Sequence, residues 1–375
     1  MRPTIASQVL AEWCGVALHE GHALRPSAAS DPSALAAVLC ANGLGPALSH
    51  ALRAMESHDS PEPVADALRA DARVAAAGAL AALATLREIA EALDGAGIPW
   101  LLWKGPALAL AAWGDPARRH FSDLDIVVSP PDRERARDAL GNAGWASKGA
   151  LSRAQERAIH SVTSAYPLTK PGAPLLELHS AFIGRLYPTA LEVREVMARA
   201  DRLSLAGLSV RVPSSTDSLL LLALHATKHG WSQAEEVLTF TRLARRSPAA
   251  LAAAIVQAEQ AGVAPAMDLA LHLSEELTGE PLTPETARAA DPRVRAMVAE
   301  CIARMCAGEG NWRETHRWSL SWVTGPRHRV RYLLGALLAP TPQEARFMLL
   351  PDPLVGAYPA VRLLRLALRS VGLAR

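Results

Sequence analysis

Up to residue 95 apolar positions recur at helical spacing in Ala- and Leu-rich stretches, broken at Pro26, Pro32, Pro46 and at SHDSPEP over 57–63. This pattern predicts a helical leader region. Its longest piece, Val64 to Leu93, reads as one or two helices that stop at the cluster of Asp94, Gly95 and Gly97. Over 96–190 the period changes: short apolar runs (IPWLLW, LDIVV, PLLELHSAF) alternate with helix-like pieces. That alternation predicts a sheet domain, and an α+β fold class for the chain. Over 191–375 helical periodicity returns, broken by one short hairpin in LSLAGLSVRVP. The expected organisation is therefore a helical leader (1–95), a sheet core (96–190) and a helical C-terminal domain (191–375), with no internal repeat or low-complexity tail.

Chemistry-bearing residues fall at the ends of these elements. In WLLWKGPALALAAWG an apolar strand ends at Lys104-Gly105, Pro106 suits a first helical position and Gly114 a helix stop. Gly105 would let backbone approach a phosphate closely, the helix N–H groups would face it, and Lys104 would add positive charge. An ordinary strand-to-helix turn with a surface lysine has the same local sequence. In RRHFSDLDIVVSPPD, Asp123 and Asp125 alternate with Leu124, Ile126 and Val128, so strand periodicity puts both carboxylates on one face. Two adjacent carboxylates repel unless a cation lies between them, which points to Mg²⁺. In PLLELHSAF, Glu177 and His179 share a face opposite Leu176 and Leu178, after a Pro171-Gly172 turn from a strand expected around Val162 to Leu168. A helix at about 217–229, with Ser215 or Thr216 as N-cap and Gly230 as its stop, carries His225, Lys228 and His229, a basic ridge suited to phosphates. Zinc fits this helix poorly, because the Glu of H-E-x-x-H and a third ligand are missing.

Composition narrows the partners. The net charge is +2, from 39 Lys plus Arg against 37 Asp plus Glu, and aromatic residues are 5% of the chain, so neither a global positive field nor stacking platforms favour long nucleic acid. Half of the 375 residues are hydrophobic, enough for sizeable cores. Cys14, Cys40, Cys301 and Cys306 have no disulfide or zinc spacing and read as reduced thiols. The longest apolar stretches, such as LLLLAL at 219–224, are too short to cross a bilayer. A cytoplasmic protein with no membrane partner is expected.

With WKGPALA, RRHFSDLDIVV, LELH and LHATKHGW in this order, the chain resembles the uncharacterised nucleotidyltransferases of family 5, within the polymerase-beta superfold. The resemblance covers about 98–240. It implies a polymerase-beta-like sheet between helical regions, and Mg²⁺ or Mn²⁺ held by Asp123, Asp125 and Glu177 as the catalytic carboxylates. It also implies nucleotide contacts from Lys104, Gly105, Arg119, His179, His225, Lys228 and His229. The implied reaction moves an NMP from an NTP such as ATP to a hydroxyl of a small molecule, peptide or protein, releasing pyrophosphate. The alternative is a catalytically silent nucleotide- or partner-binding module of the same fold. Two departures bear on that choice: Lys-Gly stands where the superfamily has Gly-Ser, and EEVLTFTRLARR offers Glu235 or Glu236 where the family tends to place an Asp.

Overall fold

The computed structural model describes residues 5–19, 31–55, 60–149, 151–163, 165–184, 186–187, 191–283, 291–308 and 315–371. Three leader helices, α1 (Ile5–Leu18), α2 (Pro32–Ala41) and α3 (Gly45–Ala54), precede one long helix, α4 (Glu62–Gly95). Pro32 and Pro46 sit in the first turns of α2 and α3, so they start helices rather than break them, as a residue with fixed φ and no N–H can. Pro26 and residues 57–59 lie outside the described residues. Val64 to Leu93 is a single helix because nothing between its Pro-containing first turn and Gly97, at φ 64°, interrupts the backbone ladder.

The sheet zone contains β1 (Trp100–Trp103), α5 (Gly105–Trp113), β2 (Asp123–Val128), α6 (Arg133–Asn142), β3 (Ala146–Ser147), α7 (Arg153–Ile159), β4 (Ala165–Thr169) and β5 (Leu175–His179). Its strand order is β1-β2-β5-β4-β3; β2 and β5 are parallel and the other neighbours antiparallel. The strand expected from Val162 begins at Ala165, because 161–163 form the turn leaving α7. After α8 (Val193–Ala198) comes the expected hairpin, β6 (Asp201–Leu205) with β7 (Leu208–Val212). The rest is helical: α9 (Ser215–Lys228), α10 (Ala234–Arg246), α11 (Pro248–Gln260), α12 (Ala264–Thr278), α13 (Pro292–Ala307), α14 (His316–Trp322), α15 (Pro326–Leu338), α16 (Pro342–Phe347) and α17 (Tyr358–Ser370). The fold is thus mixed α+β, with the sheet between helical regions.

Alternation divides the sheet into two faces. Leu102, Leu124, Ile126, Val128, Leu176 and Leu178 pack in one core with Ala82, Leu86, Ile89 and Leu93 of α4 and Leu140 of α6. The opposite face presents Trp103 and Val127 to Phe182, Val193, Val196 and Leu221. A third core joins the leader helices to α5 and to α9–α14, through residues such as Leu48, Trp113, Leu220, Phe240 and Trp322. Helix α4 reaches two of these cores, with Val64 and Leu68 in the helical one and its last turns under the sheet. Among the described residues no single helix is long and apolar enough to cross a membrane. The four cysteines are free, with Cys14 and Cys301 buried.

Candidate active site

Because Leu124 and Ile126 are fully buried against α4, the strand pleat turns Asp123 and Asp125 to the other face. The parallel pairing of β2 with β5 sets Asp125 beside Glu177 and Val127 beside His179, and antiparallel β1 sets Trp103 beside Asp125. Four polar side chains from two neighbouring strands therefore share one face, flanked by an indole.

Within this group Asp125 is the most enclosed, at 1% exposure. The imidazole of His179 donates from Nε2 to Asp125 Oδ1 at 2.8 Å and lies 3.2 Å from Glu177 Oε2. Lys104 Nζ lies 3.2 Å from the same Asp125 oxygen. Burial works against charge on Asp125, but Lys104 and His179 outweigh it and hold its carboxyl below the usual carboxylate range. Burial also works against charge on His179, yet its bonds to Asp125 and Glu177 raise it above an ordinary histidine. The bond from His179 in turn lowers Glu177. At Asp123 burial and the charge on Asp125 outweigh the pull of Lys104 and His179 and push its carboxyl up to about 6. Ligand atoms of Asp125, Glu177 and His179 all lie within 4.8 Å of one another, a group that could hold a metal ion. Asp123 stands next to it on the strand.

Lys104 reaches Asp125 from a strand-to-helix turn. Its backbone has φ 63° and ψ −151°, a region that is essentially glycine-only, and Gly105 follows at φ 50°. Two consecutive positive-φ residues fold the chain so that the N–H groups opening α5 and the Lys104 ammonium meet beside the carboxylates. A Cβ on Gly105 would come within 3.5 Å of the Asp123 carbonyl oxygen, which shows how closely the turn lies on β2. Above it, Lys104 Nζ is 3.3 Å from His225 Nε2 and 4.4 Å from the Trp103 ring centroid. An ammonium only donates, so His225 Nε2 accepts and the neutral ring carries its proton on Nδ1.

The helix carrying His225 is capped by Ser214, whose Oγ accepts from the Asp217 amide at 3.2 Å. Ser215 and Thr216 lie in its first turn instead. Of the expected basic ridge, burial and the neighbouring Lys104 hold His225 well below its ordinary pKa, so its ring is neutral at neutral pH. Burial and Lys104 also lower Lys228. His229 is exposed, with its ring centroid 4.5 Å from that of His225. The ridge is thus one amine and two imidazoles, of which the half-buried His225 is an acceptor.

Arg119 meets α10. Its Nε donates to Glu235 Oε1 at 2.8 Å, and that carboxylate also accepts from Thr239, which accepts from Trp113 Nε1 at 2.9 Å. Of the two glutamates after α9, Glu235 is therefore committed to Arg119. Burial and the neighbouring charge of Glu235 push Glu236 up to about 7, and its Oε2 has no hydrogen-bond partner among the described residues. The sequence reading missed Trp103, whose ring meets His179, Phe182 and His225 edge-on at 5.4–5.8 Å. The signal was there, since Trp103 precedes Lys104 and its strand parity matches Asp125. Beside Trp103 and Lys104 a cavity of about 380 Å³ opens between α5, the β6–β7 hairpin and α9.

The model of a family described as uncharacterised nucleotidyltransferases matches residues 28–279. Among solved structures, the antibiotic-resistance factor ANT(2'')-Ia is similar at 16% identity over 48% of this chain and 90% of its own, with a TM-score of 0.34. An antigenic nucleotidyltransferase-like protein from Paracoccidioides brasiliensis is similar at 16% identity over 49% of this chain and 91% of its own, with a TM-score of 0.29. A search of curated proteins finds no match.

Proposed function

The chain belongs to the uncharacterised nucleotidyltransferase family, and from that premise we propose that it moves an NMP from an NTP such as ATP to an acceptor hydroxyl in a metal-dependent reaction at the β2–β5 face. The observation that carries the reading is the convergence of Lys104, held in glycine-only backbone geometry, on a strand face bearing Asp123, Asp125 and Glu177.

Three carboxylates on one face are hard oxygen donors, and one of them, Asp123, resists ionising beside Asp125, so the set fits a hard divalent cation. Mg²⁺ or Mn²⁺ held by Asp123, Asp125 and Glu177 would supply Lewis acidity at the triphosphate and lower the pKa of the acceptor hydroxyl. His179, bonded to Asp125 and close to Glu177, orients both carboxylates. The first N–H groups of α5 and the Lys104 ammonium offset charge that builds on the phosphoryl oxygens. His225 accepts from Lys104 and aims it, while Lys228 adds positive charge from α9. Arg119, anchored by Glu235, holds the approach to β2 in place. The cavity beside Trp103 and Lys104 is suited to the part of a substrate that does not react. A small-molecule, peptide or protein hydroxyl is the proposed acceptor.

Titrating ATP with and without Mg²⁺, then following pyrophosphate release with candidate hydroxyl acceptors, tests this. Binding should depend on the cation, and Asp125→Asn should lower turnover by about a hundredfold or more. Cation-independent ATP binding, or an Asp125→Asn variant as active as the parent, would overturn the metal-dependent reading. Binding without pyrophosphate release for any acceptor would favour the silent module.

A further inference from the structure

Amphipathic helices on a protein surface turn their apolar stripe inward. The last two long helices leave much of theirs outside. Of α15, only Tyr332 is buried, while Val330, Leu333, Leu334, Leu337 and Leu338 are exposed, Leu334 at 54%. Helix α17 buries Tyr358, Val361 and Arg365 and turns Leu363 and Leu364 outward. Between them Phe347, Met348 and Leu349 are exposed as well, Leu349 at 61%. Arg362 donates to the carbonyls of Ala336 and Leu337, so the α17 stripe lies beside the end of the α15 stripe. Apolar side chains left in water at this density call for a covering surface.

Charge identifies the cover. Residues 326–371 contain seven arginines and only two acidic residues, Glu344 and Asp352, in a chain whose net charge is +2. Both acids are engaged at home: Glu344 is buried and bonded to Arg365 with Arg362 close by, and Asp352 accepts from Ser152. Arg327 and Arg346 are exposed and form no ion pair among the described residues, and they stand beside Val330 and Leu334 and beside Phe347. A second copy of this face would set arginines against arginines. The apolar positions come from two helices held side by side by Arg362, a broader surface than a single helix offers. We propose that this face rests on an anionic bilayer surface, with the leucines at the acyl boundary and the arginines among the lipid phosphates. The expectation of no membrane partner rested on the lack of a spanning stretch, which does not bear on helices that lie flat on a surface.

The test is sedimentation of the whole chain with vesicles of phosphatidylcholine alone and of phosphatidylcholine mixed with phosphatidylglycerol, at low and high salt. The chain should sediment with the mixed vesicles, less so at high salt, and stay free of the neutral ones. Leu334→Asp combined with Leu364→Asp should lower vesicle partitioning by roughly tenfold or more, and Arg327→Glu with Arg346→Glu should remove the preference for phosphatidylglycerol. All four side chains are exposed, and an unchanged circular dichroism melt shows that each variant folds. Failure of the parent chain to sediment with mixed vesicles overturns the proposal, as would happen if an acidic protein covers the face. A parent dimer that Leu334→Asp with Leu364→Asp converts to monomer overturns it in favour of self-association.

Discussion

Lys104 occupies a backbone region that a non-glycine residue holds only at a cost of about 1–3 kcal/mol, and its ammonium is what the chain retains by tolerating it, 3.2 Å from Asp125. The two contributions can be separated. Lys104→Ala keeps the strained backbone and loses the ammonium, whereas Lys104→Gly loses the ammonium and relieves the strain. In urea unfolding Lys104→Gly is expected to be more stable than Lys104→Ala by about 1–2 kcal/mol, with both inactive; equal stabilities would show that the backbone is unstrained. The neighbouring carboxylate has a pH signature. Asp123 is raised from 3.8 to about 6 by burial and the charge on Asp125, so the folded chain binds that proton more tightly than the unfolded one. Stability from this group is then full below the ordinary carboxylate range and is lost as pH rises toward and past 6. In a chelating buffer Asp123→Asn should melt higher than the parent above about pH 6 and melt with it below about pH 4, while losing transfer activity. A melting difference that grows as pH falls would have the opposite sign and defeat the assignment.

At the scale of elements, the start of α10 decides where Arg119 points, and it is set by a residue nearly two hundred positions away. Asn42, which is 1% exposed, accepts from the Ala234 amide at 3.2 Å and donates to the carbonyls of Val38 and Met305 at 2.9 and 2.8 Å. Its side chain thus caps α10 while tying α2 to α13. Asn42→Ala leaves these groups unsatisfied and should cost about 2–4 kcal/mol, read from the denaturation midpoint; a loss under about 0.5 kcal/mol would mean that water replaces the amide. Such a cap is invisible in sequence, because no local spacing connects Asn42 with Ala234. Period was enough for β1, β2 and β5, where buried apolar residues alternate with the carboxylates. Punctuation was enough for α5, bounded by Pro106 and Gly114. Period could not give the order in which strands pair, which sets His179 within 2.8 Å of Asp125. Nor could composition show that burial makes His225 neutral, since a histidine on a helix reads as a potential cation until its surroundings are known.

For the molecule as a whole, the sheet and the helices are joined through the last turn of α5 and the short segment that follows it into β2. Trp113 Nε1 donates to Thr239, Arg242 donates to the Ala112 carbonyl at 2.9 Å, and Arg119 pairs with Glu235, at side-chain exposures of 11% and 3%. The segment that delivers Asp123 and Asp125 is therefore fixed to α10 rather than to its own sheet alone, and helical and sheet cores should unfold in one transition. The ion pair makes this testable. Removing one partner of a buried pair leaves the other charge uncompensated, whereas replacing both by apolar groups is far less costly. Arg119→Met should thus cost about 3–5 kcal/mol and Glu235→Leu a similar or smaller amount, with the double variant more stable than the sum of the two losses predicts. Far-ultraviolet dichroism reports the helices, and tryptophan fluorescence includes Trp100 and Trp103 of β1. Both should follow the same urea curve in the parent and in each variant. Additive losses would mean that Arg119 and Glu235 do not act as a pair. A fluorescence transition separated from the helical one in the parent would mean that the sheet unfolds independently of α10, and the positioning of β2 by the helices would fall with it.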